Sequence, residues 1–154
     1  MLVIEKVLIL KSTALFNETP EPDLVDTAYL LEEVHVEKET TIFEKGEVGG
    51  CMYIIYKGTI RIHDGDHELA VLNENDFFGE LSLLDTERRS ASATATEDCI
   101  LFKLGQEGFY EVLSNNVNVL KAILRTLSHR IRKMDEKSTE MYKLIEQQKI
   151  REVV

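Results

Sequence analysis

The chain has 154 residues, of which 44% are apolar and 30% charged, and it contains no apolar run of about 18 residues that would predict a membrane-spanning helix. This length suffices for one domain with a hydrophobic core. Its net charge of −10 is uneven, with 9 Lys/Arg against 23 Asp/Glu in residues 1–119, and such an acidic body repels phosphate backbones, so we expect no nucleic-acid partner.

Residues 1–31 are predicted to be helical. The opening MLVIEKVLILK has neither a cationic leader nor a small-residue cleavage site, so it does not read as a signal peptide. In PEPDLVDTAYLLEEV, two prolines precede apolar residues at helical spacing, which predicts the start of a helix.

Residues 32–114 are predicted to form the β-rich part of the chain. The segments TTIFEKGE, CMYIIYKGTIRIHDGDHELAVL and ASATATEDCILFKL are β-branched and apolar. Turn signals interrupt them at Lys57-Gly58, Asp64-Gly65 and Glu97-Asp98. Short strands at close, regular spacing predict a small sandwich or barrel.

Both cysteines of the chain lie within these apolar segments. Cys51 and Cys99 are too few for a disulfide framework. We expect free, buried thiols in a reducing, cytoplasmic compartment, with one disulfide between the two residues as the alternative.

The remainder, residues 115–154, is predicted to be one long helix that follows a short helix, QEGFYEVL, and an interruption at Asn115-Asn116. Side chains in alternating steps of four and three form what we call the apolar seam: Leu120, Leu124, Leu127, Ile131, Met134, Ser138, Met141, Ile145 and Gln148. We expect the first half of the helix to pack on the body and the second half to meet a partner helix. The polar Ser138 and Gln148 weaken the seam. The cations of this segment fit a solvated helix face.

The stretch FFGELSLLDTERRSAS holds the unusual chemistry. Ten carboxylates lie between Asp64 and Asp98, with Arg88 and Arg89 as the only Lys or Arg residues. ELSLL predicts a short helix, whose first free N–H groups favour an anion, and Arg89 can bind a phosphate with two hydrogen bonds. Glu80 would repel that phosphate and is better suited to accept from hydroxyls. The stretch therefore indicates a site for a sugar beside a phosphate, with a surface turn and an Arg–Glu ion pair as the alternative.

FGELSLLDTERRSASATA resembles the phosphate-binding cassette of the cyclic nucleotide-binding domain family. TIFEKGE, MYIIYKGTIRI and LGQEGFYEVL resemble further segments of that family, in the same order along the chain. The resemblance implies an α+β, mainly β fold. Its parts are a small jelly-roll β-barrel (a double-stranded β-helix), N-terminal helices and a long C-terminal helix.

The resemblance also implies the ligand and its contacts. Glu80 would bind the ribose 2′-hydroxyl and Arg89 the cyclic phosphate, while Arg88 would face solvent. The implied ligand-binding set is Gly79, Glu80, Leu81, Ser82, Arg89, Ser90, Arg130 and Asp135. Ser82 and Ser90 would donate backbone N–H groups, and Arg130 and Asp135 would reach the nucleotide from the long helix. Met134 and Asp135 stand where a Thr-Ser pair would contact adenine, and cyclic AMP is favoured over cyclic GMP.

We therefore expect a regulatory sensor without enzymatic activity or cofactor, dimeric through its long helix. Because no output segment follows residue 154, we expect it to be attached to, or to regulate, a larger protein. Three alternatives remain. HDGDHE could supply ligands to a metal-dependent, cupin-like enzyme, although its histidines flank a turn. An interaction module of the same fold would bind no nucleotide, and a DNA-binding regulator conflicts with the charge.

Overall fold

Eight strands and five helices make up the chain in the computed structural model, which describes residues 1–153. The strands are β1 (Glu32–Val36), β2 (Thr41–Phe43), β3 (Cys51–Lys57), β4 (Ile60–Asp64), β5 (His67–Leu72), β6 (Phe77–Phe78), β7 (Ser92–Ala95) and β8 (Cys99–Gly105). The helices are α1 (Val3–Lys11), α2 (Val25–Leu30), α3 (Glu80–Leu84), α4 (Gln106–Asn115) and α5 (Val117–Val153). A 3₁₀ turn over Glu21–Leu24 precedes α2.

The strands form two antiparallel sheets, in the orders β1-β8-β3-β6 and β2-β7-β4-β5. This confirms an α+β fold of antiparallel sheets with helices, and the predicted turns lie between β3, β4 and β5 and between β7 and β8. Within residues 1–153 no ladder joins the two sheets, so a closed barrel is not confirmed, and the jelly-roll assignment stays a prediction. The edge strands β2 and β6 span three and two residues, which leaves few backbone groups for pairing across the gap.

Strand β8 organises the core because it buries side chains on both faces. Leu101 points between the sheets. Phe102 and Leu104 point the other way, onto the helices. There Phe16 and Phe109 meet edge to face with ring centroids 5.8 Å apart. The first sheet is therefore the middle layer, between the helices and the second sheet.

Helix α5 packs on this body through its first turns only. Its buried residues are Val119, Ala122, Ile123 and Thr126. Contact of the first half with the body is thus confirmed, but mostly through a different stripe from the apolar seam, of which Leu127 packs against the core and Leu124 is 54% exposed. Beyond residue 130 nearly every side chain is exposed. Position 154 of the predicted helix lies outside the described residues. Among residues 1–153 no helix combines the length and the apolar character that crossing a membrane requires.

Candidate functional site

A cavity of about 490 Å³, here called the cassette cavity, lies over segments 77–82 and 87–91. Phe43, Ile62 and Leu72 contribute apolar surface to it from the second sheet. Its volume falls in the range of small-molecule sites. Six of the eight predicted ligand-binding residues line this cavity: Gly79, Glu80, Leu81, Ser82, Arg89 and Ser90.

Gly79 joins β6 to α3 in a conformation that other residues avoid. It is the residue before the first helical position, with φ at +76°, in the left-handed region. A Cβ at this position would lie 2.6 Å from Arg89 Nη1 and 3.3 Å from the carbonyl oxygen of Cys51. Glycine therefore permits both the turn and the close approach of the Arg89 side chain.

Arg89 is buried, with 7% of its surface exposed, although it carries a full positive charge. Nη1 donates to the Gly79 carbonyl at 3.3 Å, and Nη2 donates to Cys51 Sγ at 3.4 Å. The guanidinium carbon lies 4.0 Å from the centroid of the Phe43 ring. Nε has no hydrogen-bond partner, and no carboxylate of residues 1–153 lies within ion-pair distance of this side chain.

Glu80 pairs with a different arginine. Arg130 Nη1 lies 3.6 Å from Glu80 Oε1, with the two side chains 36% and 23% exposed. The Arg130 guanidinium also lies 5.1 Å from the centroid of the Phe77 ring. Helix α5 thereby brings Arg130 to the edge of the cassette cavity, and the alternative of an Arg89–Glu80 ion pair is not what the structure contains.

Two predicted ligand-binding residues, Arg130 and Asp135, do not line the cassette cavity, and only Arg130 contacts a residue that does. Asp135 is exposed on α5. Five residues separate it from Arg130, which places it about 140° around the helix axis. Its predicted contact with the ligand stays a prediction.

The remaining predicted residues differ in burial. Ser82 is 4% exposed, and its backbone N–H donates to the Gly79 carbonyl at 3.2 Å. Leu81 and Ser90 are exposed at the cavity wall. Arg88 is exposed as well, and its Nη1 donates to the Gly46 carbonyl at 2.9 Å.

Several residues that shape the site were not predicted. Phe43 and Phe77 lie beneath the two arginines, and Cys51 contacts Arg89. Gly49 lies so close that a Cβ there would overlap the Ser82 side chain. The glycine pair in KGEVGGC was the one local signal available for this segment.

Tyr53 is a further aromatic residue near Arg89 and Cys51. Its ring stacks on Phe78 with centroids 5.3 Å apart. Burial, and then a hydrogen bond with Cys51, raises the pKa of Tyr53 well above its usual value. Cys51 and Cys99 are both free thiols, as predicted, but only Cys99 is buried, whereas Cys51 is partly exposed.

The hairpin of β4 and β5, which contains the candidate metal-ligating histidines, is held by hydrogen bonds. His63 lies 2.8 Å from the Gly65 carbonyl through Nδ1 and 2.8 Å from Thr94 Oγ1 through Nε2. Lys45 Nζ lies 2.7 Å from the Asp64 carboxylate and lowers its pKa. Residues 1–153 contain no group of three His, Cys, Asp or Glu side chains arranged to hold a metal ion.

Comparison with protein families gives one match, to the model of the cyclic nucleotide-binding domain over residues 33–116. The cyclic AMP receptor protein of Thermus thermophilus is 36% identical over 99 residues, which are 61% of this chain and 46% of that protein. A cAMP-dependent protein kinase regulatory subunit of Candida albicans is 30% identical over 145 residues, covering 86% and 32%. A cGMP-dependent protein kinase of Toxoplasma gondii is 37% identical over 79 residues, covering 51% and 8%.

Among solved structures, the N-terminal domain of a transcriptional regulator from Streptomyces coelicolor superposes with a TM-score of 0.77 at 28% identity. That alignment covers 84% of this chain and 93% of the solved one. The chain spans less than half of the length of each of the three curated relatives above.

Proposed function

Because the chain belongs to the family of cyclic nucleotide-binding domains, we propose that it binds cyclic AMP in the cassette cavity and transmits binding through α5. It is a regulatory domain of the kind found in its relatives, and we assign it no reaction of its own. The observation that carries the proposal is the buried, unpaired guanidinium of Arg89.

A buried cation without a counter-ion is costly, because the protein interior does not replace the water that the charge has lost. Arg89 receives partial compensation from the Phe43 ring and the Gly79 carbonyl. An anion in the cassette cavity would supply the missing charge. A singly charged cyclic phosphate matches this need, since it presents two oxygens to a planar donor.

The sugar and its surroundings follow from the residues beside Arg89. The Glu80 carboxylate lies at the wall of the same cavity and would accept from the ribose 2′-hydroxyl. Gly79 would serve the ligand by letting the Arg89 guanidinium approach the backbone closely. Ser90 would donate its backbone N–H to the phosphate, and Ser82 would do so on exchanging its present bond to the Gly79 carbonyl. Leu81 would cover the apolar face of the ligand.

Arg130 is proposed as the link from ligand to α5. In the structure it pairs with Glu80, the residue assigned to the ribose. A hydroxyl that donates to Glu80 would share that carboxylate with Arg130 and alter the strength of the pair. The position of α5 would then depend on the nucleotide, and Asp135 would reach the base only after α5 has moved.

Cyclic AMP is chosen over cyclic GMP on the relatives. Two of the three relatives named above have cyclic AMP in their names, and their alignments cover more of this chain than that of the cGMP-dependent kinase does. Ser90, which follows Arg89, is compatible with either nucleotide. The choice of base is therefore a separate claim from the binding of a cyclic nucleotide.

The exposed apolar seam supports a homodimer through α5. Ile131, Met134, Met141 and Ile145 are 48–67% exposed along the part of the helix that leaves the body. A second α5 would cover them as in a coiled coil. We further propose that this sensor is attached to, or regulates, a larger protein.

Calorimetric titration of the full chain tests the function. We expect one nucleotide per chain, with cyclic AMP bound more tightly than cyclic GMP, and with cyclic di-nucleotides as negative controls. Tighter binding of cyclic GMP would reject only the choice of base. No heat with either mononucleotide at millimolar concentration would reject the function and leave an interaction module of the same fold.

A further inference from the structure

We propose that Cys51 is a modification site that controls the nucleotide site. Disulfide exchange between the Cys51 thiol and a small-molecule disulfide would displace Arg89 and weaken nucleotide binding. The inference rests on the proposed function, because the loss is measured as nucleotide affinity.

The backbone of Cys51 is fixed. Cys51 is the first residue of β3 and pairs with Gly105 of β8. Next to it, the N–H of Gln106 donates to the Gly50 carbonyl at 2.8 Å. A group attached to the thiol must therefore be accommodated by side chains, and Nη2 of Arg89 donates to that sulfur at 3.4 Å.

A second cavity of about 620 Å³, here called the rear cavity, is lined in part by Cys51. Its lining includes Gly49, Cys51 and Tyr53, and Arg89 forms the wall that it shares with the cassette cavity. Cys51 is partly exposed there, whereas Cys99 is 3% exposed. The rear cavity has room for a small attached group, so modification need not disrupt the core.

The unpartnered Nε of Arg89, whose side chain lies between the two cavities, is a second observation that points to a missing polar partner at this wall. Nε is buried without a hydrogen-bond partner. A Cβ on Gly49 would lie 3.3 Å from it, so Nε faces the glycine side of the wall. A polar group entering from the thiol would find a free donor at that wall, in competition with the nucleotide phosphate for the same guanidinium.

The reaction is a thiol–disulfide exchange. The Cys51 sulfur, as thiolate, attacks one sulfur of the reagent RS–SR, whose S–S bond breaks as a new S–S bond forms on Cys51. The other half leaves as RS⁻ and takes up the proton that the Cys51 thiol released. No electron acceptor beyond the disulfide is needed, and a reducing thiol reverses the step.

If the attached group displaces one nitrogen of Arg89, the whole guanidinium must move. The guanidinium is planar, lies against the Phe43 ring, and touches Gly79 on one nitrogen and Cys51 on another. Displacement at Nη2 therefore shifts the nitrogens that face the phosphate. We expect affinity to fall by about 5- to 150-fold, the usual span of coupling between two sites.

The test compares two single-cysteine chains. Cys99→Ser keeps only the Cys51 thiol, and Cys51→Ser keeps only the Cys99 thiol. Each full chain is treated with bis(2-hydroxyethyl) disulfide, an uncharged reagent, and the modified residue is located by peptide mass spectrometry. Cyclic nucleotide affinity is measured by calorimetry before treatment, after treatment, and after reduction with excess thiol.

We expect Cys99→Ser to be modified, to lose affinity and to regain it on reduction, while Cys51→Ser keeps its untreated affinity. By reciprocity, saturating nucleotide should suppress the equilibrium modification of Cys51 by the same factor. The inference is overturned if Cys51 does not react, if its modification leaves affinity unchanged, or if treated Cys51→Ser loses affinity equally. A reduced wild-type chain that binds no cyclic nucleotide rejects the proposed function itself, and the inference with it.

Discussion

Arg89 is held by an aromatic ring, a carbonyl and a thiol, none of which carries a full negative charge. The acidic chain has many carboxylates nearby, yet the structure directs Glu80 to Arg130 instead. At the scale of single residues, the site is thus a cation kept without its counter-ion. Its need for an anion is a property of burial, which local sequence does not encode.

We expect Arg89→Ala to weaken cyclic nucleotide binding by about 2–5 kcal/mol, because a desolvated phosphate loses its charged partner. Calorimetry of the folded variant checks this value. Arg61→Ala, on β4 and outside both cavities, removes the same charge and should keep affinity within about 0.5 kcal/mol. Equal losses in the two variants would show that Arg89 acts only through net charge.

Glu80→Gln should damage binding of cyclic AMP more than binding of its 2′-deoxy analogue. Glutamine still accepts a hydrogen bond, but it lacks the charge that strengthens the bond from the 2′-hydroxyl. Paired titrations with the two ligands measure the difference, with Glu68→Gln on the exposed β5 as the control. If both ligands lose affinity equally, Glu80 supports the fold or Arg130 and does not read the ribose.

Tyr53 makes the free energy of unfolding depend on pH in the alkaline range. Burial raises the pKa of its phenol, so the folded state favours the protonated form. That contribution to stability is complete below the unfolded pKa of about 10 and is lost as the pH rises above it. Tyr53→Phe should therefore show a flatter decline of unfolding free energy above about pH 10 in urea titrations. Parallel declines in the two proteins would contradict this.

The contiguous part of the site was predictable because one short segment holds it. The helix start, the carboxylate and the arginine all lie within the single segment from Gly79 to Ser90. Phe43 and Cys51 were not predictable, since they reach Arg89 from strands about 40 residues earlier through pairings that leave no local pattern. Asp135 was predicted from its position along α5, but helical register alone does not place it at the cavity.

At the scale of elements, α5 carries two apolar stripes. One stripe, with Val119 and Ile123, packs on the body, and the other, with Leu120 and Leu124, stays exposed. In its first turns the helix is apolar on most of its circumference, so sequence periodicity could not tell which stripe faces inward. The sequence also predicted a closed barrel, which is not confirmed. Strand spacing predicts which strands are neighbours, but it does not predict that the edge strands β2 and β6 are only three and two residues long.

The apolar seam makes a testable claim about assembly. We expect the full chain to sediment as a dimer, and Ile145→Lys to shift it toward monomer, because a charge would enter the helix pairing. Leu144→Lys, next to it but off the seam, with 65% exposure against 48% for Ile145, is the control and should remain dimeric. A wild-type chain that sediments as a monomer at high micromolar concentration would exclude the dimer.

At the scale of the whole molecule, the same helix contacts Glu80 of the cassette cavity through Arg130 and carries the exposed apolar seam. If cyclic nucleotide favours one packing of α5, then saturating ligand should change the dimer dissociation constant, with a coupling of about 1–3 kcal/mol. Sedimentation with and without cyclic AMP measures this. A dissociation constant that does not change would separate binding from assembly and reject transmission through α5.

The length of α5 beyond Arg130 acts as a lever. From Arg130 to Val153 the helix rises about 35 Å, at about 1.5 Å per residue. A tilt of about 10° at Arg130 would therefore swing the far end by about 6 Å, slightly more than one helical turn. A small change in the Glu80–Arg130 pair that tilted α5 would thus be enlarged into a sideways displacement of several ångströms at the far end of the helix.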